Sequence, residues 1–167
     1  MKSTVNVRHF EQRDLPALNN IYNHYINNTA ITFDIEPKTL EDRANWVKQF
    51  GRTGRYQCFV ATEGPRFLGW ACSGLFRSKA AYQTSVEVSV YLHPEASGQG
   101  VGTCLYDALF DALENKDVHR ALAGITQPNE ASVALHRRFG FRDVGLYSDV
   151  GRKFGKYWDV LWMEKHL

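Results

Sequence analysis

The chain has 167 residues, 44% of them apolar and 23% charged, which is the composition of one ordinary globular domain spanning residues 1–167. A formal net charge of +2 is too small to favour nucleic acid or a membrane surface as a partner. No apolar run approaches the ~20 residues of a membrane helix and no signal-peptide region opens the chain, so we expect a cytoplasmic protein. Cys58, Cys72 and Cys104 stand far apart among apolar residues, which predicts reduced, mostly buried thiols and no metal site.

The first half of the chain predicts one strand, two helices and a strand pair. The second helix follows Pro37, with Thr39 as its cap and Asp42 as the acidic partner of a capping box. The predicted elements, in chain order, are strand 5–9, helix 14–27, a helix after residue 37, and strands 56–62 and 66–76.

The second half alternates strands and helices before a final strand pair. The predicted elements are strand 86–92, helix 100–115, strand 121–126, helix 129–139, and strands 141–150 and 157–164. The order βααβββαβαββ indicates an α/β protein with a mixed, mostly antiparallel sheet flanked by helices.

Three glycines at every second position, Gly98, Gly100 and Gly102, follow a strand and open a helix. Backbone N–H groups at such a turn, together with the helix dipole, bind phosphate without a basic side chain. We therefore expect a phosphorylated cofactor here, although a plain glycine-rich turn is the alternative. The spacing differs from the dinucleotide fingerprint, and Gly102 is followed by Thr103 without the lysine of a Walker loop.

Residues 97–103 resemble the pyrophosphate loop of the GNAT family of N-acetyltransferases, which reads Arg/Gln-x-x-Gly-x-Gly/Ala. Gly100 and Gly102 match that pattern, and Ser97 stands where the family usually has Arg or Gln. The order of elements also matches the GNAT fold over nearly the whole chain. The resemblance implies acetyl-CoA as co-substrate, no metal, and acyl transfer to an amine.

Acyl transfer requires that an ammonium group loses a proton and that the departing thiolate gains one. Glu87 stands in an otherwise apolar central strand, where burial would raise its pKa and suit it to act as a base, directly or through water. A glutamate on the solvated face of an amphipathic strand is an equally good interpretation.

His136 stands where the broader family often has a tyrosine that protonates the thiolate. It lies seven residues, about two helical turns, after Asn129, so the two share a helix face. A structural or solvated histidine is the alternative for His136. Asn129 follows Pro128 and predicts an N-cap, and the resemblance adds a cofactor contact.

Phe33, Arg77 and Tyr82 are the candidates for substrate binding, because they lie on two loops next to the predicted site. Arg77 could form a bidentate pair with a substrate carboxylate, or it is simply a solvated loop arginine. Phe33 and Tyr82 could equally belong to a small hydrophobic cluster beside the main core.

Within the GNAT family the chain resembles the phosphinothricin and methionine sulfone/sulfoximine N-acetyltransferases. The matching runs are 28–33, 76–77, 86–87, 89–92, 132–141 and 150–155. The resemblance implies Glu87 as the base, His136 as a catalytic candidate, and Arg77 and Tyr82 in the amino-acid site. It implies that acetyl-CoA is held by Val90, Tyr91, Leu92, Gly98, Gln99, Gly100, Val101, Gly102, Thr103 and Asn129.

The predicted function is therefore acetylation of the α-amino group of a small amino acid or analogue. A protein N-terminus or a polyamine is the alternative acceptor, and a non-catalytic CoA-binding module is the alternative class. The family resemblance implies a homodimer. The aromatic segment 154–158 and Trp162 point the same way, because they predict exposed apolar surface, unless these residues complete the core.

Overall fold

The structure is a computed structural model that describes residues 4–167. Its seven strands are β1 Asn6–His9, β2 Gln57–Glu63, β3 Arg66–Leu75, β4 Ser85–Leu92, β5 Arg120–Thr126, β6 Arg142–Lys153 and β7 Lys156–His166. Its four α-helices are α1 Leu15–Asn28, α2 Leu40–Val47, α3 Val101–Leu113 and α4 Glu130–Arg138. The predicted order βααβββαβαββ is confirmed.

The last hairpin is longer than the sequence pattern predicts, because β6 continues to Lys153 and β7 to His166. Residues 142–150 of β6 are all exposed, so no alternation of apolar and polar residues marks where this strand ends.

All seven strands form one sheet in the order β1-β2-β3-β4-β5-β7-β6. Every neighbouring pair is antiparallel except β4 and β5, which run parallel. The mixed, mostly antiparallel sheet predicted from the element order is therefore confirmed, and β4 is the central strand.

Each face of the sheet buries its own core. On one face, Leu105 and Leu109 of α3 are fully buried against Val86 and Val88 of β4. On the other face, Leu18 of α1 packs among buried residues of β2 and β3. Successive strand side chains point to opposite faces, so the residues of β4 between the buried valines, Glu87 among them, face the α1 and α2 side.

The capping box predicted for α2 is confirmed: Asp42 N–H donates to Thr39 Oγ1 at 3.1 Å, and Thr39 N–H donates to Asp42 Oδ2 at 2.8 Å.

The three thiols are free, as predicted, and Cys58 and Cys72 are buried side by side on β2 and β3. Cys104, in contrast, is exposed on α3. Among residues 4–167, no helix is long and apolar enough to cross a bilayer.

Strands β4 and β5 separate soon after they meet. Their ladder has three pairs, Ser85↔Arg120, Val86↔Ala121 and Glu87↔Leu122. Beyond Glu87, β4 stays paired with β3, and β5 stays paired with β7. The two strands thus form a wedge whose inner backbone edges are not joined to each other, with Glu87 at its apex.

Candidate active site

A cavity of about 490 Å³ fills the wedge and continues to the start of α3. Its walls come from the split strands, the glycine loop and α4. Its lining residues include Tyr25, Val88, Ser89, Val90, Tyr91, Leu92, Ser97, Gly98, Gly100, Gly102, Thr103, Gly124, Asn129, Ser132, Leu135 and His136. The volume lies within the ~300–1,000 Å³ range of small-molecule sites.

The glycine loop is an open cradle of backbone N–H groups. Gly98 and Gly100 have φ angles of 74° and 80°, and a Cβ at either would meet no atom within 4 Å. Within the described residues, no protein acceptor is bonded to the N–H groups of 98–103, and Cys104 is the first to donate, to Gly100 O at 3.1 Å. These donors stand at the positive end of the α3 dipole, so the loop fits a pyrophosphate.

The third glycine serves helix packing. A Cβ at Gly102 would lie 3.1 Å from Leu135 Cδ2, so the glycine lets α3 approach α4 closely. Two neighbouring residues predicted to hold the cofactor turn their side chains away. The Gln99 amide donates to Glu95 O at 2.7 Å, and the Val101 side chain is buried in the core. Both can serve a ligand only through the backbone.

Of the predicted strand residues, Val90, Tyr91 and Leu92 all line the cavity. The Tyr91 ring packs on Trp70 with 5.0 Å between ring centroids, so only its backbone is available to a ligand. The Leu92 carbonyl already accepts a hydrogen bond from Tyr25 Oη at 2.7 Å, which joins α1 to the end of β4.

Glu87 is half-buried on β4 and receives no hydrogen bond from any residue in 4–167. Burial raises the pKa of its carboxyl group, and the positive charge of Arg77 partly opposes that rise. Glu87 thus lies on the less buried face of β4, with a carboxylate that is unpaired within residues 4–167 and whose pKa is raised.

His136 lies on the cavity wall, but both of its ring nitrogens are engaged. Nδ1 is 2.7 Å from the Ser132 carbonyl oxygen, to which it donates, and Nε2 accepts from Tyr106 Oη at 2.8 Å. Burial lowers the pKa of the imidazole, against the effect of the Ser132 bond. The side chain is 3% exposed, so this ring is a buried neutral tautomer. Tyr106 was not a site candidate from the sequence, because a tyrosine on the inner face of a helix is typical of the hydrophobic core.

Asn129 is the N-cap of α4, as predicted, since its Oδ1 accepts from Ser132 N–H at 3.2 Å. Two further lining residues, Gly124 and Ser132, were not among the sequence candidates. An isolated glycine inside a strand often marks a close approach, which could have pointed to Gly124.

The predicted substrate residues lie on two loops beside the wedge. Arg77 is exposed, its guanidinium lies 4.9 Å from the Phe76 ring centroid, and it has no ion pair within the described part of the chain. Tyr82 packs on the same Phe76 ring at 5.7 Å between centroids. Phe33, on the loop between α1 and α2, covers Gly151 of β6 so closely that a Cβ there would overlap the ring. Phe33 and Tyr82 are 36% and 40% exposed and thus are not core.

Trp162 does not add to the exposed surface, contrary to the sequence-based expectation. It is half-buried, its centroid is 6.1 Å from that of Phe76, and its ring covers Gly124, where a Cβ would lie 3.0 Å away. Trp162 therefore links the cavity wall to the aromatic residues beside Arg77.

Comparisons with known proteins agree with this geometry. A family model described as an acetyltransferase (GNAT) domain matches residues 7–162. The phosphinothricin N-acetyltransferase of Streptomyces coelicolor is 54% identical over 165 residues, which cover 98% of this chain and 96% of the relative. The L-methionine sulfoximine/L-methionine sulfone acetyltransferase of Pseudomonas aeruginosa is 35% identical over 155 residues, 92% of this chain and 90% of the relative.

One solved structure is of a GNAT superfamily phosphinothricin acetyltransferase from Sinorhizobium meliloti in complex with acetyl-CoA. It matches with a TM-score of 0.90 at 30% identity and covers 98% of this chain and 89% of that one.

The cradle can be tested with Gly100→Val. The substitution places a β-branched side chain at a positive φ, where the backbone must approach a phosphate. We expect calorimetry to show at least a tenfold loss of acetyl-CoA affinity in a folded protein. Gly54→Val is the matched control, because Gly54 has a φ of 86° and equally open surroundings in the α2–β2 loop. An equal loss of affinity in both variants would show that backbone strain alone is responsible.

Proposed function

Because the chain belongs to the GNAT acetyltransferase family and is an N-acetyltransferase, we propose that it acetylates the α-amino group of a small amino acid or analogue. The analogues intended are of the phosphinothricin or methionine sulfone/sulfoximine type, as in the names of its relatives. Acetyl-CoA is the proposed acetyl donor.

Two opposite charges support this proposal, Glu87 at the apex of the wedge and Arg77 on the loop before β4. The half-buried Glu87 carboxylate feels the charge of Arg77, yet the two form no ion pair within 4.0 Å. The two groups match the charges of an α-amino acid, because its ammonium suits Glu87 and its carboxylate suits Arg77. A polyamine has no carboxylate, and the Arg77 charge would repel it.

The assay that tests this function follows free thiol while a panel of amino acids, their analogues and polyamines is offered with acetyl-CoA. Thiol release with amino acids above the rate with polyamines supports the proposal. If no amine raises thiol release above the background, the chain is the non-catalytic module and the proposal is wrong.

In the proposed mechanism, acetyl-CoA supplies a thioester carbonyl carbon that the amine attacks. An α-amino group is mostly protonated at neutral pH, so the ammonium form must lose a proton before attack, and Glu87 accepts that proton, directly or through a water. Arg77 holds the carboxylate, while Phe33 and Tyr82 form apolar walls beside the side chain. The amides of 98–103, the inner edge of 90–92 and Asn129 hold the cofactor.

We propose that His136 acts as a proton carrier near the thiol or the amine, with a smaller effect than Glu87. The ring must exchange one of its two hydrogen bonds to act in this way, and Ser132 Oγ, 3.4 Å from Nδ1, is the nearest alternative partner on the cavity wall. A thiolate is already a fair leaving group, so the loss of such a carrier costs less than the loss of the base.

We propose that two copies associate through the β6–β7 hairpin. β6 is an edge strand of the sheet, and it exposes large apolar side chains. The exposed apolar residues of the whole hairpin, each 51–60% exposed, are Val144, Leu146, Tyr147 and Val150 of β6, Phe154 of the turn and Tyr157 of β7. A long apolar edge strand invites pairing with another chain, and a two-fold axis would cover the hairpins of both copies at once.

The free thiols and the use of acetyl-CoA support our proposal of a cytoplasmic location.

Replacing the proposed base should abolish most activity. Glu87→Gln keeps the shape of the side chain and removes its basicity, so kcat should fall by about 10²–10⁴. In the unchanged protein, activity should be lost as the pH falls through the raised pKa of Glu87, and this acidic limb should vanish in the variant. The same assay should show a smaller loss for His136→Ala. Glu63→Gln, at a half-buried strand position on β2, is the control. A near-normal kcat with the acidic limb intact would place the base elsewhere.

Arg77→Ala separates recognition of the carboxylate from catalysis. Loss of a charge-assisted pair costs about 1.5–3 kcal/mol, so KM should rise about ten- to a hundredfold for an amino acid and much less for its amide. Because the Arg77 charge lowers the pKa of Glu87, the acidic limb should also move to higher pH. Lys48→Ala, on the exposed end of α2, should change neither quantity. Equal effects on the acid and the amide would show that Arg77 does not bind the carboxylate.

The assembly can be tested by light scattering at micromolar protein, where we expect the mass of a dimer. Leu146→Arg with Val150→Arg places two charges on the proposed interface and should give a monomer. Leu40→Arg is the control, because Leu40 is 51% exposed on α2, away from the hairpin. A monomer mass for the unchanged chain contradicts the proposal.

A further inference from the structure

A second cavity, of about 420 Å³, lies between α1, the loop that follows it, and α2. It shares no lining residue with the wedge cavity. Its walls are Tyr22 and Trp46, one on each helix, and its rim carries the charged residues Asp34, Glu36, Lys38 and Asp42. Its volume is in the ordinary range for small-molecule sites. Nothing in the proposed reaction uses it.

Arg43 of α2 lines this cavity and has no polar partner. It is 4% exposed, and its guanidinium lies between two rings, 3.7 Å from the centroid of Tyr22 and 4.6 Å from that of Trp46. Among residues 4–167 no acceptor is hydrogen-bonded to the Arg43 side chain, and its Nε is buried without a partner. Stacking on aromatic faces orients the planar fork but satisfies none of its five donors. Burying a polar group without a partner is costly, so an acceptor placed in the cavity beside Nε would stabilise this arginine.

None of the carboxylates that line the cavity pairs with Arg43. Asp34 accepts from Tyr22 Oη at 2.6 Å and pairs with Lys38 at 3.3 Å, while Asp42 belongs to the capping box. Glu36 is exposed and, in the described chain, unpaired. None of the three comes within 4.0 Å of the Arg43 guanidinium. No carboxylate of the described chain therefore serves as the acceptor for Arg43 Nε.

The geometry points to a second, non-catalytic site that binds a free α-amino acid. Its carboxylate would bond the Arg43 fork, and its ammonium group would face Glu36 and Asp34. The rim carries three acidic groups against Lys38, which disfavours a simple anion such as phosphate and favours a zwitterion. This site goes beyond the proposed function, because it needs neither Glu87 nor acetyl-CoA.

Two tryptophan side chains allow each site to be observed separately. Trp46 stacks on the Arg43 guanidinium, and Trp162 covers Gly124 of the wedge cavity. The indole N–H signals of both, assigned with Trp46→Phe and Trp162→Phe, are followed by NMR while L-methionine is added to the full chain. We expect a saturable shift of the Trp46 signal. L-Methioninamide lacks the carboxylate and N-acetyl-L-methionine lacks the ammonium group, so neither should move that signal.

Substitutions then assign the binding groups. Arg43→Gln should weaken the Trp46 response at least tenfold while leaving the Trp162 response unchanged. Glu36→Gln, at an exposed position that should not affect folding, should weaken it several-fold, and Glu41→Gln on the exposed face of α2 is the control. The inference is overturned if saturating L-methionine does not shift the Trp46 signal, or if L-methioninamide shifts that signal equally. It is also overturned if the folded Arg43→Gln and Glu36→Gln variants respond as the unchanged chain does. A response at Trp162 alone would refute the second site and leave the proposed function intact, because the thiol-release assay decides that function separately.

Discussion

Strands β4 and β5 share a ladder for three residue pairs and then part after Glu87, and the site depends on that separation. A parallel pair inside an antiparallel sheet needs a long crossover, and here α3 is that crossover. The helix starts beside the end of β4, which brings its free N–H groups to the mouth of the wedge. The backbone path that opens the sheet therefore also places a helix dipole where a phosphate can bind.

The wedge also explains why the carboxyl group of the proposed base has a raised pKa. Glu87 is the last residue of β4 that pairs with β5, so it lies where the sheet is still closed and water is partly excluded. Burial raises the pKa of its carboxyl group, and Arg77 moderates that rise from the exposed loop. The proposed binding site for the amine substrate thus has a proton acceptor, Glu87, near a cation, Arg77, and the two do not form an ion pair.

Much of the fold could be predicted from the sequence, because local signals agree with the tertiary arrangement. The capping box at Thr39 and Asp42 depends on neighbours a few residues away, and it was confirmed. The glycine cradle was also visible, since positive φ angles at Gly98 and Gly100 are a local requirement. The end of the last hairpin could not be predicted from the sequence, because an exposed edge strand has no alternation of buried and exposed residues.

The sequence by itself determined the order of elements, the family, the cradle and the candidates Glu87 and Arg77, since each follows from local pattern or resemblance. Only the tertiary structure decided which side chains meet. Trp162 looked like exposed surface until β7 placed it over Gly124, and His136 looked free until α3 brought Tyr106 to its Nε2. Burial and hydrogen-bond partners are set by residues distant along the chain, and pKa values depend on both. Spacing along one sequence does not contain that information.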